Sequence, residues 1–296
     1  MSDDNSRSLV NLGNLSKPAD TLIKKVSSAV GGLFAPYQVK RLAKAEAEAS
    51  LISAKAEIEV TELHRRAMHR FVEEEASRQK NMEDITEQAI SGLGEDSDPS
   101  DVEDDWISNF FEKARIVSDK EMQELWAKVL SGEANRPGSY SRRTVNLIAD
   151  LDKKDALLFS RLCSYGWMIG NIVPLVFDVQ EEIYNRNGIN FNSLSHLETL
   201  GLIQFNNIAG FSRLQLPKRF AVTYYGRPLQ LEMEHENDNK LELGKVLLTQ
   251  AGQELAPVCG STPADGFFEY VQEKWKKHLP KSPEEDAPAD AGKPRG

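Results

Sequence analysis

Apolar residues recur along most of this chain at steps of three and four, the period of an α-helix, and the rhythm changes after residue 170. Residues 1–17 are polar and rich in Asn and Ser, and are expected to form a disordered leader. Over 18–36, Leu22, Ile23, Val26, Val30, Leu33 and Phe34 share one side of a predicted amphipathic helix. Lys24, Lys25, Ser27 and Ser28 take the other side, and Gly31-Gly32 and Pro36 punctuate its end. Such a helix can lie on a membrane surface. Packing on its own protein or on a neighbouring subunit is the more common arrangement, and is the expectation here.

Residues 37–92 hold no Pro and, until Gly92, no Gly. They are dense in Ala, Glu, Lys, Arg and Gln, which predicts one long helix of about 80 Å. Ile52, Ala56, Val60, Leu63, Ala67 and Phe71 make a narrow apolar stripe along it. A stripe that thin does not hold a lone helix in water, so a second copy is the expected partner and Ile52, Val60, Leu63 and Phe71 the expected contacts. The acidic, turn-rich stretch 93–104 reads as a linker and domain boundary.

A helical bundle is predicted over 105–170. Trp106, Ile107, Phe110, Phe111 and Ala114 share one face. Ser118 and Glu121 have capping-box spacing ahead of Met122, Leu125, Trp126, Val129 and Leu130. From 171 to 279 the order is a helix over Phe191–Leu200, the turn Gly201, strands near Phe220–Tyr225 and Leu229–Met233, and a helix capped by Thr249. That order suggests a winged-helix-like region, closed by a C-terminal helix carrying Phe267, Phe268, Tyr270, Val271 and Trp275. The Pro-rich, acidic tail 280–296 is expected to be disordered. The fold class is therefore mainly α with a small α+β part.

A net charge of -10 argues against unspecific attraction to a nucleic-acid backbone. The helix expected to serve as recognition helix contains neither Lys nor Arg, so nucleic acid is a disfavoured partner. Arg213, Lys218, Arg219 and Arg227 in the wing are the residues that would make such contacts. No Walker loop, nucleophile elbow, zincin motif or dinucleotide fingerprint is present. His64 and His69 stand five apart on different helix faces, and His196, His235 and His278 are isolated in sequence. No catalytic residue, metal site or cofactor is expected. Glu133, Arg136, Arg142 and Arg143 flank a Pro137-Gly138 turn that opens a helix, an arrangement that suits either an anion or partner loop or a salt-bridged connection. Cys163 and Cys259 lack metal-ligand spacing, no signal peptide is recognisable, and no run reaches the ~20 apolar residues of a membrane span. These features suggest a cytoplasmic protein, with attachment at the inner membrane surface as the alternative.

The blocks Trp106-Ile-x-x-Phe-Phe, Ser118 to Glu133 (SDKEMQELWAKVLSGE) and Arg136 to Thr144 (RPGSYSRRT) resemble the bacterial family called domain of unknown function 2806. Arg78-Gln-Lys-Asn81 and Leu248-Thr-x-Ala-Gly-x-Glu-Leu255 fit the same family, and the likeness covers most of 36–256. The Met122-Gln-x-Leu-Trp-Ala phrase is more loosely similar to the abortive-infection alpha family. The resemblance implies a bacterial protein without an established activity, and the looser one a role in the response to phage. Neither supplies catalytic residues. Together these readings predict an oligomerising, non-enzymatic interaction or sensor protein. A nucleic-acid-binding regulator and a membrane-surface effector acting through 18–36 are the alternatives.

Overall fold

A Ser followed two residues later by Pro is a common way to open a helix, and the first described element begins so. The computed structural model describes residues 16–30 and 61–280. Helix α1 spans Lys17–Ala29, and the Ser16 hydroxyl accepts from the Ala19 N–H at 3.4 Å. The rest of the expected leader, Leu33 and Phe34, Ile52 and Val60 of the stripe, and the tail beyond 280 lie outside the described residues. The chain divides into two compact units, 1–153 and 154–296.

In the first unit, α1 buries Ala19, Leu22 and Val26 and packs on α3 (Asp104–Ala114) and on a 3-10 turn at Pro99–Asp101. Lys25 pairs with Asp104 at 2.8 Å, and the Ser108 hydroxyl donates to the Ala29 carbonyl at 3.2 Å. The apolar side of α1 thus rests on its own chain. Helix α2 spans Glu62–Ile90, which corrects the expectation of one unbroken helix over 37–92. Thr61 is extended (φ -57°, ψ 155°) and its hydroxyl accepts from the His64 N–H, so it caps the start of α2.

The second half of α2 buries Met82, Ile85 and Ala89 against α4 (Lys120–Asn135). Asn81 and Gln123 are buried with them as an amide pair. The Gln123 Nε2 donates to Asn81 Oδ1 (3.2 Å) and to the Val117 carbonyl (2.8 Å), while Asn81 Nδ2 donates to the Arg115 carbonyl (3.0 Å). Helix α3 turns all five of its predicted apolar residues inward. Trp106 stacks on Phe110, and Phe110 meets Trp126 edge-on, each at about 5 Å between ring centroids. Helix α5 (Arg142–Ala149) is capped by Ser141 and buries Val145 and Ile148.

Two more expectations for this unit need correction. The cap of α4 is Asp119, whose carboxylate accepts from the N–H groups of Glu121 and Met122, and not Ser118. A carboxylate takes both bonds and carries the charge that suits a helix N-terminus. The stretch 93–104 is not a domain boundary but part of the packed unit. Asn135 clasps it, accepting from the Gly94 N–H and donating to the Gly92 carbonyl, both at 2.8 Å, and Val102 is buried.

The second unit contains α6 (Lys153–Cys163), whose first residue belongs to the unit before. Strands β1 (Gly166–Ile169) and β2 (Asn171–Pro174) then form a hairpin, so the expected bundle over 105–170 ends early. Trp167 and Ile169 point inward and Met168 outward, the alternation of a strand. Helices α7 (Glu182–Asn185) and α8 (Phe191–Thr199) follow, then β3 (Ile203–Phe205) and β4 (Phe211–Leu216). Next come β5 (Arg219–Tyr224), β6 (Arg227–Glu232), β7 (Asn239–Gly244), β8 (Val246–Leu248), α9 (Gln250–Leu255) and α10 (Phe267–Lys274). All named pairings are antiparallel. One sheet runs β2-β1-β5-β6, and β3 pairs with β8 and β4 with β7 as separate ladders.

The β5–β6 turn places Tyr225 and Gly226 at φ 47° and 80°, the left-handed pair that suits strand twist in a two-residue hairpin. Trp167, Tyr224 and Phe268 stack at 5.2 and 5.3 Å, and Tyr165 meets Phe267 edge-on at 4.8 Å, which seats α10 on the four-stranded sheet. The Leu248–Leu255 motif has a structural explanation. The Thr249 hydroxyl accepts from the Gly252 N–H, and a Cβ on Gly252 would lie 2.1 Å from the Leu202 carbonyl oxygen, so the helix can approach that closely only with glycine. The protein is mainly helical with a smaller antiparallel part. Among the described residues no helix is long and apolar enough to cross a membrane.

Candidate functional site

One line of side chains runs down α2 at steps of three and four: Leu63, Ala67 and Phe71, then Glu75 and Arg78, then Met82, Ile85 and Ala89. Helix α4 covers the last three. Every residue from Glu62 to Glu74 is exposed, a stretch of about 20 Å at the helical rise. Leu63 is 65% exposed and Phe71 59%, with Met68 and Val72 exposed beside them, whereas Ile85 is fully buried. An ion pair between Glu75 and Arg78, joined by Glu74, marks the change from bare to covered. Leu63 and Phe71 from the predicted stripe are therefore together on one face that nothing among the described residues covers.

The predicted anion loop is already filled by the protein's own carboxylate. Glu133 is buried, and its two oxygens accept from the Gly138 N–H (2.6 Å) and the Tyr140 N–H (2.9 Å). Trp106 Nε1 donates to the Tyr140 carbonyl at 2.7 Å, and a Cβ on Gly132 would meet the Tyr140 ring at 2.7 Å. The Trp106, Gly132-Glu133 and Pro137 to Ser141 residues thus form one fastening. Arg142 reaches Asp105 at 3.4 Å and Glu103 at 3.8 Å, and Arg136 and Arg143 are exposed without converging on the same N–H groups. The arrangement is the salt-bridged connection rather than an open cradle.

The four basic residues expected to make nucleic-acid contacts are spread over three separate settings. Arg213 lies over Gly170 in the β1–β2 turn and donates to the Ile169 carbonyl. Lys218 pairs with Glu236 and Arg219 with Glu232, each at 2.8 Å. Arg227 pairs with Glu269 at 2.8 Å and sits 3.6 Å from the centre of the Phe268 ring, a cation–π contact. Hydrogen bonds from Lys218 and Arg227 hold Glu236 and Glu269 below the usual carboxylate range. Each of these cations is matched by an acceptor of its own unit.

One polar pair was invisible in the sequence. His196 on α8 meets Asp155 on α6, Nε2 to Oδ1 at 2.8 Å, and Asp155 is buried. No local motif announces a pair separated by this much chain. It joins two helices, and among the described residues no group of three His, Cys, Asp or Glu side chains is placed to hold a metal ion. Beside α8, Phe191 is exposed and meets Phe205 edge-on at 5.5 Å, at the rim of a surface depression that also includes the fully exposed Ile208.

The model of one protein family, described as "Protein of unknown function (DUF2806)", matches residues 65–272. No curated protein and no solved structure matches the chain.

Proposed function

The chain belongs to the DUF2806 family of proteins of unknown function, and from that premise we propose that it is a non-enzymatic assembly protein that pairs with a second copy of itself through the first half of α2. The observation that carries this reading is the exposure of Leu63 and Phe71 on one face of a helix whose other half is built into a core. Burying these two side chains is worth on the order of 3–6 kcal/mol by area, which offsets part of the cost of association. The preceding sequence continues the same stripe with Ile52 and Val60.

The second unit would then dock a protein partner. The nested ladders β3–β8 and β4–β7, with α8 before and α9 after, support a winged-helix-like core into which the β5–β6 hairpin is inserted. Its α8 carries no Lys or Arg and presents Phe191, which favours protein over nucleic acid. Pairing of Arg213, Lys218, Arg219 and Arg227 within the unit points the same way. A part in the response to phage is carried by the looser family likeness alone.

Light scattering on the full chain, wild type against Leu63→Glu/Phe71→Glu, tests assembly. A dimer or larger species that falls to monomer in the variant, with an unchanged circular-dichroism melt of each unit, is the expected result. A wild-type monomer across a wide concentration series, or an oligomer indifferent to both substitutions, overturns it.

A further inference from the structure

Three stretches of the second unit meet around an open cavity of about 450 Å³. The last turn of α6 supplies Arg161, with Ser164 just beyond it. The turn after α7 supplies Arg186 and Asn187, and the loop before α10 supplies Thr262 and Asp265. Gly188 follows Asn187 at φ 73°, and a Cβ built there would lie 3.9 Å from the Arg161 guanidinium. Arg161 therefore leans over the turn that carries Arg186. The Arg186 guanidinium in turn donates to the Asp265 carbonyl.

Two buried tyrosines fasten these walls to one another from beneath. Tyr224 donates to the Ser164 carbonyl and accepts from the Ala264 N–H, each at 2.6 Å, which joins the end of α6 to the loop. Tyr165 donates to the Ile183 carbonyl at 2.6 Å and accepts from the Asn187 amide at 2.7 Å, which joins it to the α7 turn. The cavity is thus shaped by the fold before anything enters it, and little ordering cost is left to a ligand.

Its charged groups are not used up within the protein. Arg161 makes no hydrogen bond or ion pair among the described residues, and Arg186 pairs with no carboxylate among them. Arg219 and Arg227 of the same unit, by contrast, are each held by a glutamate. The Thr262 hydroxyl and the Asp265 carboxylate also lack hydrogen bonds among the described residues. A phosphate monoester carries about two negative charges near neutral pH and three terminal oxygens, which suits two guanidinium forks. The Asp265 carboxylate repels a second phosphate and accepts from a hydroxyl or amino group instead. That choice disfavours polyphosphates and nucleic-acid backbones, and the volume lies within the range of about 300–1,000 Å³ usual for small-molecule sites.

We propose that this cavity binds a small molecule bearing one terminal phosphate monoester. The phosphate lies between Arg161 and Arg186, with the Thr262 hydroxyl as a further donor, and a neighbouring hydroxyl or amino group of the ligand donates to Asp265. The site is independent of assembly through α2.

Isothermal titration calorimetry on the full-length protein tests it, with AMP, glycerol phosphate and free phosphoserine set against adenosine, glycerol, serine and inorganic phosphate. At least one ester is expected to bind more tightly than inorganic phosphate, and its unphosphorylated counterpart not to bind. Arg161→Ala removes a side chain that bonds to nothing described, so its melting temperature should stay that of the wild type while the ester weakens about ten- to a hundredfold. Arg161→Lys keeps the charge without the fork and should weaken it less. Asp265→Asn is expected to weaken the ester several-fold and to leave inorganic phosphate bound as tightly or more so. Three results overturn the proposal: no ester bound more tightly than inorganic phosphate, an unphosphorylated counterpart bound as tightly as its ester, or an affinity indifferent to Arg161→Ala.

Discussion

The two halves of α2 carry the same sequence pattern and meet different fates. From Asn81 to Ala89 the helix is part of a core: Met82, Ile85 and Ala89 lie against α4, and Asn81 and Thr86 are buried among them. From Glu62 to Glu74 an apolar line of equal length is bare, and its polar side is laced by pairs within one helix, Glu62–Arg65 and Arg70–Glu74. Hydrophobic periodicity reports that a helix has a face to bury and says nothing of what buries it. In the second half the chain supplies the cover itself. In the first it supplies none among the described residues, which is why assembly is proposed there.

The widest separation between the halves is expected from truncating one apolar residue in each. Ile85→Ala removes a fully buried side chain and should cost about 3–4 kcal/mol in urea unfolding. Phe71→Ala removes a larger one that touches little, and at low protein concentration should change stability by no more than about 0.5 kcal/mol. Its effect belongs to the light-scattering mass instead. Equal costs at the two positions would show that the first half is covered in solution and would break the comparison.

The next effect concerns the buried amides. Gln123→Leu leaves the Val117 carbonyl and Asn81 Oδ1 without their donor, and should cost about 1–3 kcal/mol. Asn81→Leu should cost a similar amount. The double variant is expected to lose less than the two added together, because each single change strands the other's partner. Additive losses in a thermal or urea series would mean that the pair does not act as a unit.

How much of this was legible follows from which contacts are local. The apolar faces of α3, α4 and α5 were readable because burial there follows the helical period, and the β5–β6 strands were readable from their alternation. Asn81 and Gln123 were not, since an amide facing a core has the same sequence appearance as one facing water. The strand β1 was absorbed into the predicted bundle because Trp167, Met168 and Ile169 continue an apolar run from α6; Gly166 and Gly170 on either side were the available signal. Glu133 lies in the last turn of α4 and not in a loop, and its partners are N–H groups that any sequence has, so a filled cradle and an open one look alike. His196 and Asp155 are joined only by the fold. The Thr61 cap was missed because the surrounding helix formers hide a single β-branched residue.

The smallest expected effect separates the halves by their charges. Asp84 accepts from Lys80 on its own helix and from Lys120 on α4, each at 2.7 Å, so its charge ties α2 to a second element. Burial pushes its carboxyl up, but the hydrogen bonds from Lys120 and Lys80 and their positive charge outweigh it and hold the group below its ordinary value. A carboxylate whose folded value is depressed contributes stability above its unfolded value, near pH 4, and loses it as pH falls through the folded value. Asp84→Asn should therefore lower stability at neutral pH by about 1 kcal/mol or less and flatten the acid limb of a melting-temperature profile. Asp119 also contributes to that limb, its carboxyl held low mainly by the Met122 N–H, so the difference between wild type and Asp84→Asn is the quantity to read. Glu74, on the bare half, pairs among the described residues only with Arg70 (3.4 Å) and Arg78 (3.7 Å) of the same helix. Glu74→Gln should leave the melting temperature at neutral pH unchanged within error. A Glu74→Gln shift as large as that of Asp84→Asn would mean that the overhang is fastened to something, and the nature of its partner would have to be sought in that charge rather than in the apolar stripe.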